Sequence, residues 1–324
     1  MPESPLAASP YEVLGVSAHA SEAELRRAYR ARLRATHPDT GGAAAPFDAV
    51  QRAWELVGTP EARAAYDRGG TSARGVDAAD ARAAWAPRPT DERLGTRARA
   101  TVVGEAGARA RAAYLDALAD WAAEAPPGEG RTGDGPADAA ARDPYDPAVL
   151  RALPAAVRRP LATAVAQEET ARALATLGIG FTVWHDVVLG SAEHPLAIDH
   201  LVLGPTGLWA VRSDDWGGEV KVARGEVFGR LLDPDERPVH ELAVAAKRLA
   251  RESRARVSAL VVAVPDGCAP DGVTALGSVG GASALLVEQP RLADLIRRGL
   301  PGVGVGGTDL LELKRRVQGA VGVG

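Results

Sequence analysis

Three adjacent residues, His37-Pro38-Asp39, offer an imidazole and a carboxylate on either side of a rigid proline ring. Proline disfavours helical geometry at the residue before it, and Gly41 and Gly42 allow the chain to reverse direction soon afterwards. The tripeptide is therefore predicted to lie at a loop tip, where polar groups meet solvent and binding partners. Proline and aspartate are also common in ordinary turns, so the flanking elements decide between a plain turn and a binding loop.

Both flanks of this loop carry helical patterns. On the N-terminal side, Ser21 and Glu24 form a capping-box pattern. An apolar stripe with a spacing of four residues follows, formed by Leu25, Tyr29 and Leu33. On the C-terminal side, a second stripe has spacings of three and four residues, formed by Phe47, Val50, Trp54 and Val57. Two such helices joined by a short loop are predicted to pack as an antiparallel hairpin, with shorter helices beginning near Ser9-Pro10 and Thr59-Pro60.

Residues 8–70 resemble the J-domain family, co-chaperones that drive ATP hydrolysis by DnaK-type heat-shock chaperones. The resemblance implies that His37, Pro38 and Asp39 contact the DnaK-type partner, and that Asp39 pairs with a partner arginine. It also implies that the basic face of the preceding helix meets an acidic partner surface. That face is formed by Arg26, Arg27, Arg30 and Arg34. Without the resemblance, each of these arginines is equally well explained as part of a solvated helix face.

Composition sets limits on the other classes of function. The formal net charge is −4, so overall electrostatics do not attract the chain to nucleic acid or to an anionic membrane. The single cysteine, Cys268, excludes an intramolecular disulfide and a multi-cysteine zinc site. No apolar run is long enough to span a bilayer, and the N-terminus lacks a signal-peptide pattern. We therefore expect a cytoplasmic protein with no membrane partner, no metal and no cofactor.

Three regions are expected along the chain. Residues 1–70 form the J-domain, an all-α helical hairpin. Residues 71–150 form a linker rich in alanine, arginine, proline and glycine, with a possible helix over residues 97–125. Residues 151–324 show alternating helix and strand patterns, which predict an α/β domain with a mixed sheet and helices on its faces.

A second resemblance lies in this C-terminal region. The run from Ile198 to Val211, Ile-Asp-His-Leu-Val-Leu-Gly-Pro-Thr-Gly-Leu-Trp-Ala-Val, looks like the signature of the nuclease-related domain (NERD) family. The similarity extends over about residues 160–300, including His185-Asp186 and the helix start at Val239-His240. It implies a restriction-endonuclease-like fold.

Nucleases of that fold hold Mg²⁺ with carboxylates beside a lysine, and Mg²⁺ requires oxygen ligands in nearly octahedral geometry. The family pattern has an acid on the first helix, the aspartate of Ile-Asp-His, and an acid-x-Lys on the next strand. Here those positions correspond to Gln167, Asp199 and Arg212-Ser213-Asp214. Arg212 would place a positive charge where the metal should bind. We therefore interpret Gln167, Asp199, Arg212 and Asp214 as a vestigial nuclease site without catalytic residues.

The leading hypothesis is an adaptor, not an enzyme: the J-domain recruits a DnaK-type chaperone, and the C-terminal domain binds an unidentified client protein or complex. One alternative is a Mg²⁺-dependent nuclease with a migrated site, built from Asp199, Asp214, Asp215, Glu168 or Glu169, and Lys221. Another is a nucleic-acid-binding module without cleavage, which is possible but not favoured. It predicts a basic groove near Arg212, Lys221, Arg224 and Arg230. His185, His194 and His200 match no standard metal spacing, and Cys268 has no activating neighbour in the sequence.

Overall fold

The computed structural model describes residues 4–6, 8–36, 44–67, 82–83, 85–87, 99–123, 143–190, 193, 195–302 and 310–323. The chain divides into two compact units. The first contains residues 1–87 and 115–158, and the second contains residues 88–114 and 159–324. Among the described residues, no helix is both long enough and apolar enough to cross a membrane.

In the first half of the chain, the described residues include the helices α1 (Pro10–Leu14), α2 (Glu22–Thr36), α3 (Ala44–Val57), α4 (Pro60–Asp67), α5 (Ala108–Ala123) and α6 (Pro147–Ala152). The predicted capping boxes are present. The Ser9 hydroxyl accepts a hydrogen bond from the Glu12 amide, and Glu12 accepts one from the Ser9 amide. Ser21 and Glu24 make the same reciprocal pair before α2. Each box satisfies two amides that the first helical turn leaves without a partner.

The two predicted apolar stripes pack against each other in the core of the first unit. Leu25 of α2 and Val50 and Val57 of α3 are buried, and the Tyr29 and Trp54 rings stack with centroids 4.4 Å apart. Such an aromatic pair contributes about 0.5–1.5 kcal/mol beyond the area that it buries. Tyr11 of α1 donates a hydrogen bond of 2.8 Å to Asp67 at the end of α4. This bond joins α1 to α4, and Tyr11 and Tyr66 pack in the same core as the α2–α3 pair.

The second unit is built on a mixed sheet. Its strands are β1 (Thr101–Val103), β2 (Thr182–Leu189), β3 (Leu196–Gly204), β4 (Gly207–Ser213), β7 (Ala259–Val264), β8 (Val273–Val279), β9 (Ala282–Glu288) and β10 (Gly322–Val323). They lie in the order β1-β2-β3-β4-β7-β9-β8, and β10 also pairs with β2. The β1–β2, β4–β7 and β7–β9 pairs are parallel, and the others are antiparallel. A separate hairpin consists of β5 (Lys221–Ala223) and β6 (Glu226–Phe228).

Helices cover both faces of this sheet: α7 (Ala155–Ala175), α8 (Pro238–Ser253), α9 (Gln289–Arg298) and α10 (Leu310–Ala320). In β7, Leu260 and Val262 point to the core that contains α8 and α10, whereas Val261 and Ala263 point to the core that contains α9. This alternation follows from the two-residue period of a strand. Because both faces are covered, β7 is buried along its whole length, which explains its continuous apolar sequence.

The segment before α7 differs from the expected linker. The helix predicted over residues 97–125 begins only at Ala108, and Thr101–Val103 forms a strand instead. That strand pairs in parallel with β2, and the Ala100 amide donates to the Leu177 carbonyl oxygen. Residues 88–114 therefore belong to the same compact unit as residues 159–324, although the expected domain began at residue 151. Pairing with a strand some 80 residues away outweighs the local helix propensity of an alanine-rich and arginine-rich segment.

Candidate functional site

The arginines of α2 form an exposed surface. Arg26, Arg30 and Arg34 recur every four residues and therefore lie on one side of the helix, with Arg27 beside them. All four are exposed, whereas Leu25 is buried on the opposite side. The Arg30 and Arg34 guanidinium groups donate to the carbonyl oxygens of the residues four positions earlier, at 3.3 and 3.1 Å. Arg26 also pairs with Glu22 one turn before it. The helix thus presents a row of positive charges to solvent.

The predicted binding tripeptide follows this row directly in sequence. The helix α2 ends at Thr36, and α3 begins at Ala44. His37, Pro38 and Asp39 lie between them, outside the described residues. Their contact with a partner therefore stays a prediction, as does the role of the α2 arginines.

The four residues of the predicted vestigial site come together in the second unit. Asp199 lies on β3, and its carboxylate accepts a hydrogen bond of 2.7 Å from the Ser213 amide on β4. The Gln167 side chain of α7 also donates to Asp199, and the Arg212 charge acts on it. Burial raises the pKa of Asp199, and these three partners lower it again without cancelling the effect. Adjacent strands and the helix above them thus place an amide and a guanidinium around this carboxylate.

Asp214 completes the cluster. It is 3% exposed, and the Thr163 hydroxyl donates a hydrogen bond of 2.8 Å to it. One guanidinium nitrogen of Arg159 and one of Arg212 each lie 3.7 Å from its carboxylate. Burial nevertheless raises the pKa of Asp214 to about 6, because desolvation exceeds the stabilisation by the two arginines.

Arg212 is held by further carboxylates that the sequence did not single out. Its guanidinium contacts Glu236 and lies 2.6 Å from Glu241 at the start of α8. Arg159 shares Glu236, also at 2.6 Å. Burial lowers the pKa of Arg212, but Asp214, Asp199, Glu241 and Glu236 together outweigh burial and raise it above its ordinary value. Glu236 and Glu241 come from a loop and a helix outside the family motif, so no spacing in the sequence pointed to them.

This arrangement does not fit a divalent metal. The position beside Asp214 holds two guanidinium groups, and a fixed positive charge repels a cation. Among the residues that the structure describes, no group of three histidine, cysteine, aspartate or glutamate side chains could hold a metal ion. Two arginines therefore occupy the space beside Asp214 that a divalent metal would need.

The carboxylates proposed for a migrated site are engaged elsewhere. Glu168 forms a buried pair with Arg111 of α5, and Glu169 pairs with Arg172 at 2.7 Å. Asp215 accepts a hydrogen bond from the Gly217 amide at 2.8 Å. Lys221 is exposed on β5. With these contacts, the side chains proposed for the migrated site do not converge on one point where a cation could bind.

The start of α5, with Gly107 before it, packs closely against this region. Arg109 pairs with Asp186 through its guanidinium group, and its charge also acts on Asp199. Gly107 has a φ angle of +80°, and a Cβ atom there would lie 2.9 Å from the Ala164 carbonyl oxygen. Only glycine fits this position without strain. Arg109 and Arg111 thus add two more positive charges beside the acids of α7 and β2.

Two of the histidines noted in the sequence form a buried pair. His185 and His200 are directly opposite on β2 and β3, with their Nδ1 atoms 2.7 Å apart. Burial lowers the pKa of His185 to about 4 and that of His200 well below its ordinary value. Both rings are therefore neutral near pH 7, and one Nδ1–H donates to the other Nδ1. His194 lies outside the described residues.

Comparisons with known proteins agree with both resemblances. A DnaJ domain matches residues 9–67, and a nuclease-related domain matches residues 162–264. The chain is 48% identical to a chaperone protein DnaJ of Thermosynechococcus vestitus over 73 residues, which are 21% of this chain and 20% of that protein. It is 48% identical to a chaperone protein DnaJ of Gloeothece citriformis over 63 residues, covering 18% of this chain and 17% of the relative.

A DnaJ protein homolog of Cucumis sativus is 43% identical over 63 residues, 19% of this chain and 15% of that protein. The chain thus spans a fifth or less of the length of these curated relatives. No solved structure matches it. The family matches show that this chain joins an N-terminal DnaJ domain to a C-terminal nuclease-related domain.

Proposed function

We propose that this protein is a co-chaperone that binds a DnaK-type chaperone through its DnaJ domain and stimulates ATP hydrolysis by that partner. His37, Pro38 and Asp39 form the docking loop, and the four arginines of α2 meet an acidic surface of the chaperone. The nuclease-related domain is non-catalytic and binds a client protein or complex.

The observation that carries this proposal is the exposed arginine row on α2. Leu25, Tyr29 and Leu33 pack into the core of the first unit, which fixes the orientation of the helix. The arginines on the other side are then held toward solvent, and α2 ends at the residue before His37. Charges of this kind mainly speed encounter with an oppositely charged partner and select the correct one.

The argument against a catalytic second unit is electrostatic. Arg159 and Arg212 lie at Asp214, where a metal-dependent nuclease requires an open coordination site. Freeing Asp214 for a metal ion would require several compensating changes at once, since Glu236 and Glu241 also bind Arg212. The charges around Asp214 therefore favour a domain that binds its partner without hydrolysing it.

The deciding experiment is ATP turnover by a DnaK-type chaperone with and without this protein. We expect stimulation by the wild type and its loss in His37→Gln. The double variant Arg26→Glu/Arg30→Glu should require about a tenfold higher concentration for half-maximal stimulation, which corresponds to about 1.4 kcal/mol of binding free energy. Arg52→Glu provides a control that reverses a single exposed charge, since Arg52 is exposed on α3 outside the arginine row.

The control variant should stimulate like the wild type. A wild-type protein that leaves ATP turnover unchanged would end the proposal. Equal loss in Arg52→Glu and in Arg26→Glu/Arg30→Glu would show that the arginine row has no specific role.

A further inference from the structure

The second unit carries a strongly basic surface away from the vestigial site. Five basic residues lie between Lys247 and Arg256, at the C-terminal end of α8 and just after it, and Lys314, Arg315 and Arg316 follow one another on α10. We call these eight residues the basic patch. Only Glu252 and Glu312 are acidic in the same stretches, so their formal net charge is +6 in a chain whose total is −4.

Six of the eight charges of the basic patch are exposed to solvent, and Lys314 and Arg316 are half-buried. All five basic residues from Lys247 to Arg256 are exposed, as is Arg315. Arg248 pairs with Glu252 within the helix. Within the described ranges, Lys247, Arg251 and Arg315 form no ion pair. Arg159 and Arg212, in contrast, form ion pairs with a carboxylate of the protein itself.

Both helices of the patch are anchored in the same core layer. Leu242, Ala245 and Leu249 of α8 and Leu313 and Val317 of α10 are buried on one face of the sheet. The two helices also pack against each other. Lys247 and Arg251 are one helical turn apart, a rise of about 6 Å, and both point away from that core. The patch is therefore a rigid surface with regularly spaced positive charges.

An ordinary structural role explains part of this charge. Cations in the last turn of a helix interact favourably with its dipole, which applies to Arg251 and to Arg254 just beyond it. It does not apply to Lys314 and Arg315, which lie in the middle of α10. The charge on α10 is left without a structural explanation.

We propose that the basic patch binds the phosphate backbone of double-stranded DNA without reading its sequence. Arginine presents a planar fork that matches phosphate, and most of the patch is arginine. A membrane surface is disfavoured, because the apolar sides of α8 and α10 are buried in the core and each helix exposes only one large apolar side chain, Val244 and Leu311, within the described residues. Neither helix carries a phenylalanine, tyrosine or tryptophan ring on which single-stranded bases could stack. This partner is additional to the DnaK-type chaperone proposed for the first unit.

The test is fluorescence anisotropy of a labelled DNA duplex titrated with the full chain at 50 and 200 mM salt. Each neutralised phosphate contributes a slope of about −0.9 to the dependence of log affinity on log salt, so four contacts predict a loss of about a hundredfold. Arg251→Glu/Arg315→Glu should weaken binding at least tenfold. The matched control, Arg291→Glu/Arg298→Glu, makes the same change in charge at two exposed positions of α9, outside the patch, and should stay within twofold of the wild type.

Thermal unfolding of each variant shows whether it remains folded. Absence of binding at 50 mM salt would overturn the proposal. Equal loss of DNA affinity in the patch and control variants would show that the basic patch is not the DNA-binding surface. Parallel titrations use two other partners, tested separately: vesicles that contain phosphatidylserine, and an acidic polypeptide. Patch-dependent binding to either of them, with none to DNA, would assign the surface to that class of partner and reject ours.

Discussion

The residues around Asp214 decide whether the second unit can hydrolyse a phosphodiester. Asp199 and Asp214 are close enough to influence each other, as in a metal-binding pair. Arg159 and Arg212 lie against the same carboxylate, however, and Arg212 is also bound by two glutamates. The positive charge of this site is covalently part of the chain, so it cannot act as an exchangeable Lewis acid.

We therefore expect the purified protein to leave DNA and RNA intact in the presence of Mg²⁺ or Mn²⁺. The measurement is gel analysis of end-labelled substrates over several hours. Asp199→Asn, prepared in parallel, reveals any contaminating nuclease, which would act equally in both samples. Metal-dependent cleavage by the wild type that disappears in Asp199→Asn would refute a non-catalytic domain.

The histidine pair predicts a dependence of stability on pH. The folded-state pKa of His185 is about 4 and that of His200 is also lowered, whereas histidine in an unfolded chain titrates near 6.5. The unfolded state thus binds more protons between about pH 6.5 and 4, and stability falls as the pH falls through this window. For His185 alone the loss between pH 7.5 and 5 is about 2 kcal/mol.

Asp214 acts in the opposite direction in part of the same range. Its folded-state pKa of about 6 lies above the ordinary value, so its contribution grows as the pH falls below 6. Urea unfolding at pH 7.5 and 5 should separate the two effects. His185→Val/His200→Val should lose less stability on acidification than the wild type, and Asp214→Asn should lose more. Identical pH dependence in all three proteins would contradict the assignment.

At the scale of elements, the sequence predicted those whose pattern is local. The stripes of α2 and α3 and the capping residues Ser9 and Ser21 specify their helices from within. The continuous apolar run of β7 similarly marks a strand that is covered on both faces. In each case, short-range sequence and burial favour the same structure.

Elements that depend on distant partners were not predicted. Thr101–Val103 has helix-favouring neighbours and becomes a strand only by pairing with β2. In Val273–Val279 the strand pattern is interrupted by Gly277, where the ladder to β9 shifts register. Bulges of this kind disturb the period of two that identifies a strand.

The candidate site also combines residues that a local sequence motif predicts with residues that only the tertiary fold brings in. The family motif predicted that Gln167, Asp199, Arg212 and Asp214 would meet, and the structure brings them together. Arg159, Glu236 and Glu241 belong to other segments and join the cluster through the tertiary fold alone. The sequence therefore indicated which metal-binding side chains are altered. It did not indicate which other side chains occupy the site in place of a metal.

At the scale of the whole molecule, a net charge of −4 conceals two basic surfaces in different compact units. The arginine row of α2 belongs to the first unit, and the basic patch of α8 and α10 belongs to the second. Each surface is held by the core of its own unit. Each surface can therefore select its own partner.

We expect the two activities to be separable by mutation. Arg26→Glu/Arg30→Glu should impair stimulation of the chaperone and leave DNA affinity unchanged, and Arg251→Glu/Arg315→Glu should do the reverse. The fourfold variant should show both losses, each within about 0.5 kcal/mol of its value in the double variant, because independent sites contribute additively. ATP turnover and anisotropy on the same four proteins provide the measurement. A DNA affinity that falls when only α2 is changed would place both arginine-rich surfaces in a single binding site and refute separate partners.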